Sequence, residues 1–199
     1  MFFSDAIFAI AITLLALELI KIAPDTADLA EESSLIGALK GTAATAAGYL
    51  LSFAVVGIFW VDHNRKFALI SRLDTRLLLL NLAMMMVIVI VPIPTALLIS
   101  HRSQLTAALY SMWLAVTSLC SAGLWAYAAG GRRLLGPSAR PRMVRGETII
   151  SLVLPAIFLA STFVSLLSVT AARVIWWGTL LSSLVVFCVR GGTETARKS

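Results

Sequence analysis

Long uncharged runs restrict what this chain can fold into more than any other feature of its sequence. Four of them occupy residues 41–61, 77–100, 103–131 and 148–172. About 20 apolar residues in a helix, rising about 1.5 Å each, cross a hydrocarbon core about 30 Å thick. Each run is long enough for this, so the pattern predicts an all-α membrane protein.

Six membrane spans are predicted, forming one transmembrane domain over residues 1–190. Their approximate boundaries are 2–22, 35–61, 77–100, 104–130, 147–170 and 173–190. The last span is short, but Arg173 and Arg190 at its ends can reach the membrane interface with their long side chains. Residues 191–199 are predicted to be a disordered cytoplasmic tail. The third and fifth spans contain proline. These prolines either kink their helices or occupy structural positions near a helix end.

Composition argues against the soluble classes of protein. Hydrophobic residues make up 59% and charged residues 13% of the 199, against roughly 25% charge in soluble domains. The net charge of +6 does not indicate nucleic-acid binding, because the basic residues lie between apolar runs. The sequence contains no phosphate-binding glycine loop, HExxH motif or paired cysteine motifs. We therefore predict no enzyme activity, no cofactor, no resident metal and no nucleic-acid partner.

The basic residues are distributed unevenly between the two sides of the predicted membrane. Twelve of the sixteen lysines and arginines lie in the 61–76 and 130–147 loops and the C-terminal tail. Because cytoplasmic loops carry an excess of Lys and Arg, this side is predicted to be cytoplasmic. Both termini then lie inside, and the acidic 23–34 segment faces outward.

The first span is unusual because it is short and has an acid at each end. Only residues 6–17 are uncharged, between Asp5 and Glu18. An acid near a span usually faces the interior of a helix bundle or a water-filled cavity. This helix is therefore the first candidate for a functional element.

Two groups of residues, most of them with polar side chains, fall at the predicted cytoplasmic face. They are Phe3, Ser4 and Asp5 at the start of the first span, and Trp60, His63 and Asn64 at the end of the second. One interpretation is that they bond to each other and pin the two helices, since unpaired polar groups near lipid cost several kcal/mol. The other is an ordinary helix N-cap with an interfacial tryptophan.

Three motifs occur in the first 70 residues: Phe-Ser-Asp at 3–5, the apolar stretch at 8–15 and Trp-x-x-His at 60–63. In this combination the chain resembles the transmembrane protein 175 family of potassium channels. The likeness is to the short prokaryotic form, which has one six-helix unit per chain. The family motif also includes an arginine four residues before the phenylalanine, which would precede Met1 here. Either the chain extends upstream or this member lacks that basic contact.

The resemblance implies a homotetramer in a prokaryotic plasma membrane that conducts K⁺ passively, with the first helices around a central pore. Carried onto this chain, the constriction is Ile10, with Thr13, Leu14 and Leu17 above it. Their i, i+3, i+4, i+7 spacing places them on one helix face, although such a stripe is more often simple packing. Glu18 would lie at the outer mouth, where it either attracts cations or merely caps the helix.

Two other functions remain open. A secondary transporter needs ionisable groups near the membrane midplane, and none lies between Asp5 and Glu18 or near the middle of another predicted span. A non-conducting membrane assembly protein would give no ion flux. The absence of ionisable groups favours passive conduction.

Overall fold

The regular structure of this protein is helical throughout the part described by the computed structural model, residues 2–20 and 32–195. The helices are α1 (Phe2–Ile20), α2 (Glu32–Leu69), α3 (Thr75–Ile90), α4 (Pro92–His101), α5 (Gln104–Ala129), α6 (Pro141–Leu167) and α7 (Val169–Thr195). Since α3 and α4 form one broken rod, these helices make six rods. The predicted all-α fold is confirmed.

Several of these rods are long and apolar enough to cross a bilayer. Within the described residues there are four: Thr45–Leu69, Thr75–His101, Gln104–Arg132 and Pro141–Leu167. The apolar part of α1 is shorter and covers Phe2–Leu17. The chain is thus a multi-pass membrane protein, and the apolar part of its first helix is shorter than these four spans.

The helix ends differ from the boundaries expected from the apolar runs. The second helix continues to Leu69 rather than ending at residue 61, and α6 begins at Pro141 rather than at residue 147. The last helix reaches Thr195, although a disordered tail was expected from residue 191 onward; residues 196–199 lie outside the described part. The apolar pattern marks only the lipid-facing part of a helix, whereas the backbone hydrogen bonds are internal and continue into water.

The rod formed by α3 and α4 is interrupted at Val91, and Pro92 takes the first position of α4. Proline has no N–H, and the preceding Val91 N–H bonds to the Ile88 carbonyl three residues back, at 3.1 Å. Trp113 of α5 donates its indole Nε1–H to the Val87 carbonyl at 3.0 Å. A carbonyl beside the break therefore has a partner within the protein, which lipid would not supply.

A seam of small polar residues joins α5 and α6. Ser111, Ser161 and Ser165 are buried there, and the Ser111 Oγ lies 3.3 Å from the Ser161 Oγ and 3.1 Å from the Ser165 Oγ. Trp176 of α7 donates its Nε1–H to the Ser161 Oγ at 2.8 Å. Small side chains let membrane helices approach closely. Pro155 lies inside α6 without interrupting it.

Two loops meet at one end of the bundle. The Ser71 N–H donates to the Leu134 carbonyl, and the Gly136 N–H donates to the Leu69 carbonyl, both at 2.9 Å. These bonds connect the loop between α2 and α3 with the loop between α5 and α6. The two loops expected to share one side of the membrane therefore do lie together.

Asp74 fixes the start of α3 in this loop region. Its carboxylate accepts hydrogen bonds from the Leu77 N–H at 2.9 Å, the Tyr127 hydroxyl at 2.6 Å and Arg133 Nη2 at 2.9 Å. The Tyr127 hydrogen bond, followed by that from Leu77, lowers the pKa of the Asp74 carboxyl. The carboxylate therefore stays charged at neutral pH, and its stabilising contacts are lost only as the pH falls through this lowered pKa.

The interruption before Pro92 gives a test of the indole contact. Trp113→Phe keeps an aromatic ring but removes the donor to the Val87 carbonyl, so we expect the free energy of unfolding to fall by about 1–3 kcal/mol. The measurement is the thermal unfolding midpoint of the purified protein in detergent. Trp177→Phe is the matched control, because Trp177 is exposed and its ring change removes no hydrogen bond seen in the described residues. Equal midpoints for the two variants would contradict the role of the indole.

Candidate functional site

The first helix has one buried face and one exposed face. The buried residues follow helical spacing: Ser4, Phe8, Ala11, Leu15. The exposed face carries all four residues predicted for a pore: Ile10, Thr13, Leu14, Leu17. Ile10 is 48% exposed and Leu17 53%, although both are large apolar side chains. The Thr13 hydroxyl donates to the Ile10 carbonyl at 2.8 Å, which leaves its oxygen lone pairs available as acceptors.

Two other predicted site residues do not join the contacts described below. Phe3 is 59% exposed and lies at the start of α1. Glu18 belongs to the last turn of α1, but its side chain lies outside the described part of the structure. The role suggested for Glu18 at the outer mouth therefore stays a prediction.

The remaining polar motif residues come together where the start of α1 meets the end of α2. Asp5 Oδ1 accepts a hydrogen bond from Trp60 Nε1 at 2.9 Å and a longer one from Asn64 Nδ2 at 3.4 Å. Asn64 Nδ2 also donates to the Trp60 carbonyl at 3.0 Å. These contacts link α1 to α2 by side chains, rather than leaving Asp5 as an isolated helix cap.

A second set of contacts joins the same end of α1 to α3 and α2. Asn81 of α3 donates its Nδ2–H to the Ser4 Oγ at 3.0 Å, and its Oδ1 lies 2.8 Å from His63 Nε2. All three residues are buried. We call these six residues the motif cluster: Ser4, Asp5, Trp60, His63, Asn64, Asn81.

The His63 ring is held between two aromatic side chains. It stacks on Phe67 with ring centroids 4.3 Å apart, and Phe8 of α1 lies 5.6 Å away on a tilted plane. Since Asn81 Oδ1 is an acceptor, the assigned amide orientation places the His63 proton on Nε2. Within the described residues His63 Nδ1 has no hydrogen-bond partner. The imidazole therefore serves here as a donor and a packing surface between three helices.

A buried ion pair lies on the neighbouring face of α2. Lys66 Nζ donates to Asp62 Oδ2 at 2.7 Å and to the Ser121 Oγ of α5 at 2.6 Å, and the Ser121 hydroxyl donates to Asp62 Oδ2 at 2.9 Å. Lys66 is only 1% exposed. Both charges were expected in the 61–76 loop, and that expectation is wrong. The reason is that α2 continues to Leu69, so its last turns carry charges into the packed bundle.

A further ion pair fixes the end of α2 to α6. Arg65 Nη2 lies 3.1 Å from Glu147 Oε1, and the Glu147 side chain is 5% exposed. Arg65 was expected in the same loop and is likewise helical. The last turns of α2 are thus connected by polar side chains to α1, α3, α5 and α6. This part of α2 forms the fixed frame against which α1 is placed.

The structure adds several residues that the sequence analysis missed. Asn81 is the most important, and one signal for it was available: it is the only amide within the uncharged run 77–100. The partners Ser121 and Glu147 carry no such local signal, because they meet α2 only through the fold. Among the residues the structure describes, no group of three or more His, Cys, Asp or Glu could hold a metal ion.

The protein is an α-helical multi-pass membrane protein with six helical rods. Its first helix is short, exposes apolar side chains on one face and is bonded to its neighbours by the motif cluster at one end. Comparison with known proteins narrows this class. Residues 1–92 match the family model described as endosomal/lysosomal potassium channel TMEM175. The chain belongs to the TMEM175 family. This is a family of ion channels and not of enzymes.

Bacterial relatives match most of the chain. A Streptomyces collinus protein described as a potassium channel is 37% identical over 74% of this chain and 71% of its own length. A Chamaesiphon minutus protein with the same description is 33% identical over 84% and 83%. The crystal structure of a lysosomal potassium-selective channel TMEM175 homologue from Chamaesiphon minutus matches with a TM-score of 0.79 and 28% identity, covering 92% of this chain and 93% of that one.

The ion pair on α2 can be tested by removing one or both charges. Lys66→Met leaves the Asp62 carboxylate buried without its cation, and we expect a loss of about 3–5 kcal/mol in stability, read as a lower unfolding midpoint. The double variant Asp62→Leu with Lys66→Met removes both charges and should recover most of the loss. If the double variant is as unstable as Lys66→Met alone, packing rather than charge explains the effect.

Proposed function

We propose that this chain is a potassium-permeable cation channel that conducts passively through a pore lined by α1. Bacterial relatives that share about three quarters or more of this chain are described as potassium channels, which supports the ion. The single observation that carries the pore assignment is an exposed stripe of apolar side chains on α1, formed by Ile10, Leu14 and Leu17. It lies on the side of the helix opposite Ser4, which bonds to Asn81 in the motif cluster.

The length of α1 favours a shielded position for this stripe. Its apolar part, Phe2–Leu17, rises only about 24 Å, which is shorter than a hydrocarbon core of about 30 Å. Asp5 lies near one end, and Glu18 follows at the other. A lipid-facing helix of this kind would thin the bilayer or bring its acids close to hydrocarbon. A place around a central axis, surrounded by other copies of the chain, avoids both costs.

Four copies around one axis would arrange the α1 stripes as stacked rings. A narrow ring of Ile10 side chains loses its water and blocks ions when closed, and a modest widening admits a hydrated or partly hydrated cation. Leu14 and Leu17 form the neighbouring rings. Thr13 supplies one hydroxyl oxygen per chain to replace water around K⁺, a weak filter consistent with modest selectivity for K⁺ over Na⁺.

The motif cluster would hold the base of α1 while the stripe moves. Asp5 and Ser4 bind to α2 and α3 at the first turn of α1, and α2 is itself tied to α5 and α6. A small tilt of α1 about this attachment changes the pore diameter. Opening therefore depends on a few hydrogen bonds at one end of the helix.

The charge distribution supports the orientation that we propose for the chain in the membrane. We place the chain in a prokaryotic plasma membrane with both termini in the cytoplasm, because the loops that meet at Ser71 and Leu134, together with the helix ends beside them, carry most of the basic residues. The motif cluster then lies at the cytoplasmic end of the pore. Glu18 and the acidic 23–34 segment lie at the outer mouth, where they raise the local cation concentration.

The alternatives predict different ion fluxes. A secondary transporter moves K⁺ together with a second solute, and a non-conducting assembly protein moves none. The buried Asp62 and Lys66 do not favour a transporter, because they neutralise each other at 2.7 Å. Passive K⁺ flux into liposomes, without a second solute, is therefore the deciding measurement.

The pore assignment predicts the effect of polar substitutions on the stripe. Ile10→Asn and Leu17→Asn should raise resting K⁺ conductance severalfold, because a polar ring stays wet when a ring of aliphatic side chains does not. Single-channel recording in planar bilayers measures this directly. Leu152→Asn on the exposed face of α6 is the control and should leave conductance unchanged. Absence of K⁺ flux from the wild type, or conductance unaffected by both α1 variants, would contradict the pore.

The motif cluster predicts a graded effect on gating. Asn81→Leu removes the bonds to Ser4 and His63 at similar volume, so α1 should be less firmly attached, with altered open probability and a smaller tetrameric fraction. Ser4→Ala removes only one of these bonds and should give the same changes more weakly. Currents together with native mass spectrometry measure both effects. Normal currents and an intact tetramer in Asn81→Leu would refute the attachment.

A further inference from the structure

A cavity lies at the end of the bundle opposite the motif cluster. It has a volume of about 130 Å³ and opens between α2, α4 and α7. Ala47 lines it and Trp60 belongs to the cluster, which separates the two sites by about 20 Å along α2. The volume is similar to that of engineered cavities of about 150 Å³ that bind a molecule the size of benzene.

Two arginine side chains line this cavity. Arg102 follows the last residue of α4, and Arg173 is the fifth residue of α7. Both are exposed. Among the residues that the structure describes, neither pairs with a carboxylate, and Arg102 Nη2 makes one long hydrogen bond of 3.3 Å to the Thr45 Oγ1. Two cations from separate helices thus face one concave site that contains no described anion.

The remaining walls of the cavity are apolar. Leu51, Leu98 and Ile99 come from α2 and α4, and Trp177 adds an exposed ring from α7. Exposed tryptophan at the end of a membrane helix is typical of the interface between headgroups and acyl chains. A site with guanidinium groups at its rim and aliphatic side chains below them is complementary to an amphiphile with an anionic head.

We propose that this cavity binds an anionic phospholipid of the adjacent leaflet. Arg102 and Arg173 donate hydrogen bonds to its phosphate, and its acyl chain lies along Leu98 and Ile99. Guanidinium groups suit this ligand because their planar N–H donors match phosphate oxygens in pairs. The lipid would connect the end of α4 to the start of α7, which are far apart in sequence. This inference does not depend on the pore assignment.

The experiment measures the stabilisation of the purified wild-type protein by lipid. Phosphatidylglycerol is titrated into the detergent-solubilised protein, and the unfolding midpoint is recorded at each concentration. Phosphatidylcholine and inorganic phosphate are titrated in parallel. We expect a saturable rise with phosphatidylglycerol, a smaller rise with phosphatidylcholine and little change with inorganic phosphate, which lacks the acyl chain.

Two variants separate the charges from the cavity itself. The double variant Arg102→Gln with Arg173→Gln should need at least about tenfold more phosphatidylglycerol for half of the rise, since it loses two charge-assisted contacts. Ala47→Phe keeps both arginines but fills the cavity and should also weaken the response. The control Arg72→Gln with Arg142→Gln removes the same charge from exposed sites elsewhere and should respond as the wild type does.

Several results would overturn the proposal. If the Arg102→Gln/Arg173→Gln variant responds to phosphatidylglycerol like the wild type, the two arginines are not ligands. If the control pair loses as much of the response, the effect comes from net charge and not from this site. A full rise with inorganic phosphate would indicate a free-anion site. If the double variant changes the oligomeric mass while its lipid response is intact, a second copy of the chain occupies the cavity instead.

Discussion

The bilayer core offers no hydrogen-bond partners, and most of the specific side-chain contacts in this protein follow from that constraint. A proline in the α3–α4 rod disturbs the backbone pairing, and the indole of Trp113 bonds to a carbonyl beside the break. The charges of Asp62 and Lys66 enter the bundle only as a pair, with the Ser121 hydroxyl completing the contact. Polar groups in the spans are therefore also the points that join the helices.

The same constraint explains the arrangement of α1. Its charged residues lie near its ends, and Ser4 and Asp5 are satisfied by α3 and α2. The hydroxyl of Thr13, in the middle of the helix, bonds to the Ile10 carbonyl of α1 itself. Between the ends the helix has no side-chain hydrogen bond to another helix within the described residues, only packing on one face and an exposed stripe on the other. A helix attached in this way can change its tilt without breaking polar contacts along its length. That property suits a pore-lining element.

The helices could be predicted from the sequence more completely than the contacts of the site. The apolar runs indicated the spans and the all-α fold, because hydrophobic length reports directly on the thickness of the bilayer. Helix ends were less well predicted: α2 continues to Leu69 because a helix needs no lipid to satisfy its own backbone. That extension changes Arg65 and Lys66 from expected loop cations into partners of buried acids.

The sequence by itself determined the membrane class, the uneven distribution of basic residues and the presence of Ile10, Thr13, Leu14 and Leu17 on one helix face, since these depend on composition and local periodicity. Only the tertiary structure decided that this face is exposed and that Asn81 connects His63 to Ser4. Those relations depend on how separate helices pack, and helix packing is set by contacts between residues far apart in the chain. No local pattern records them.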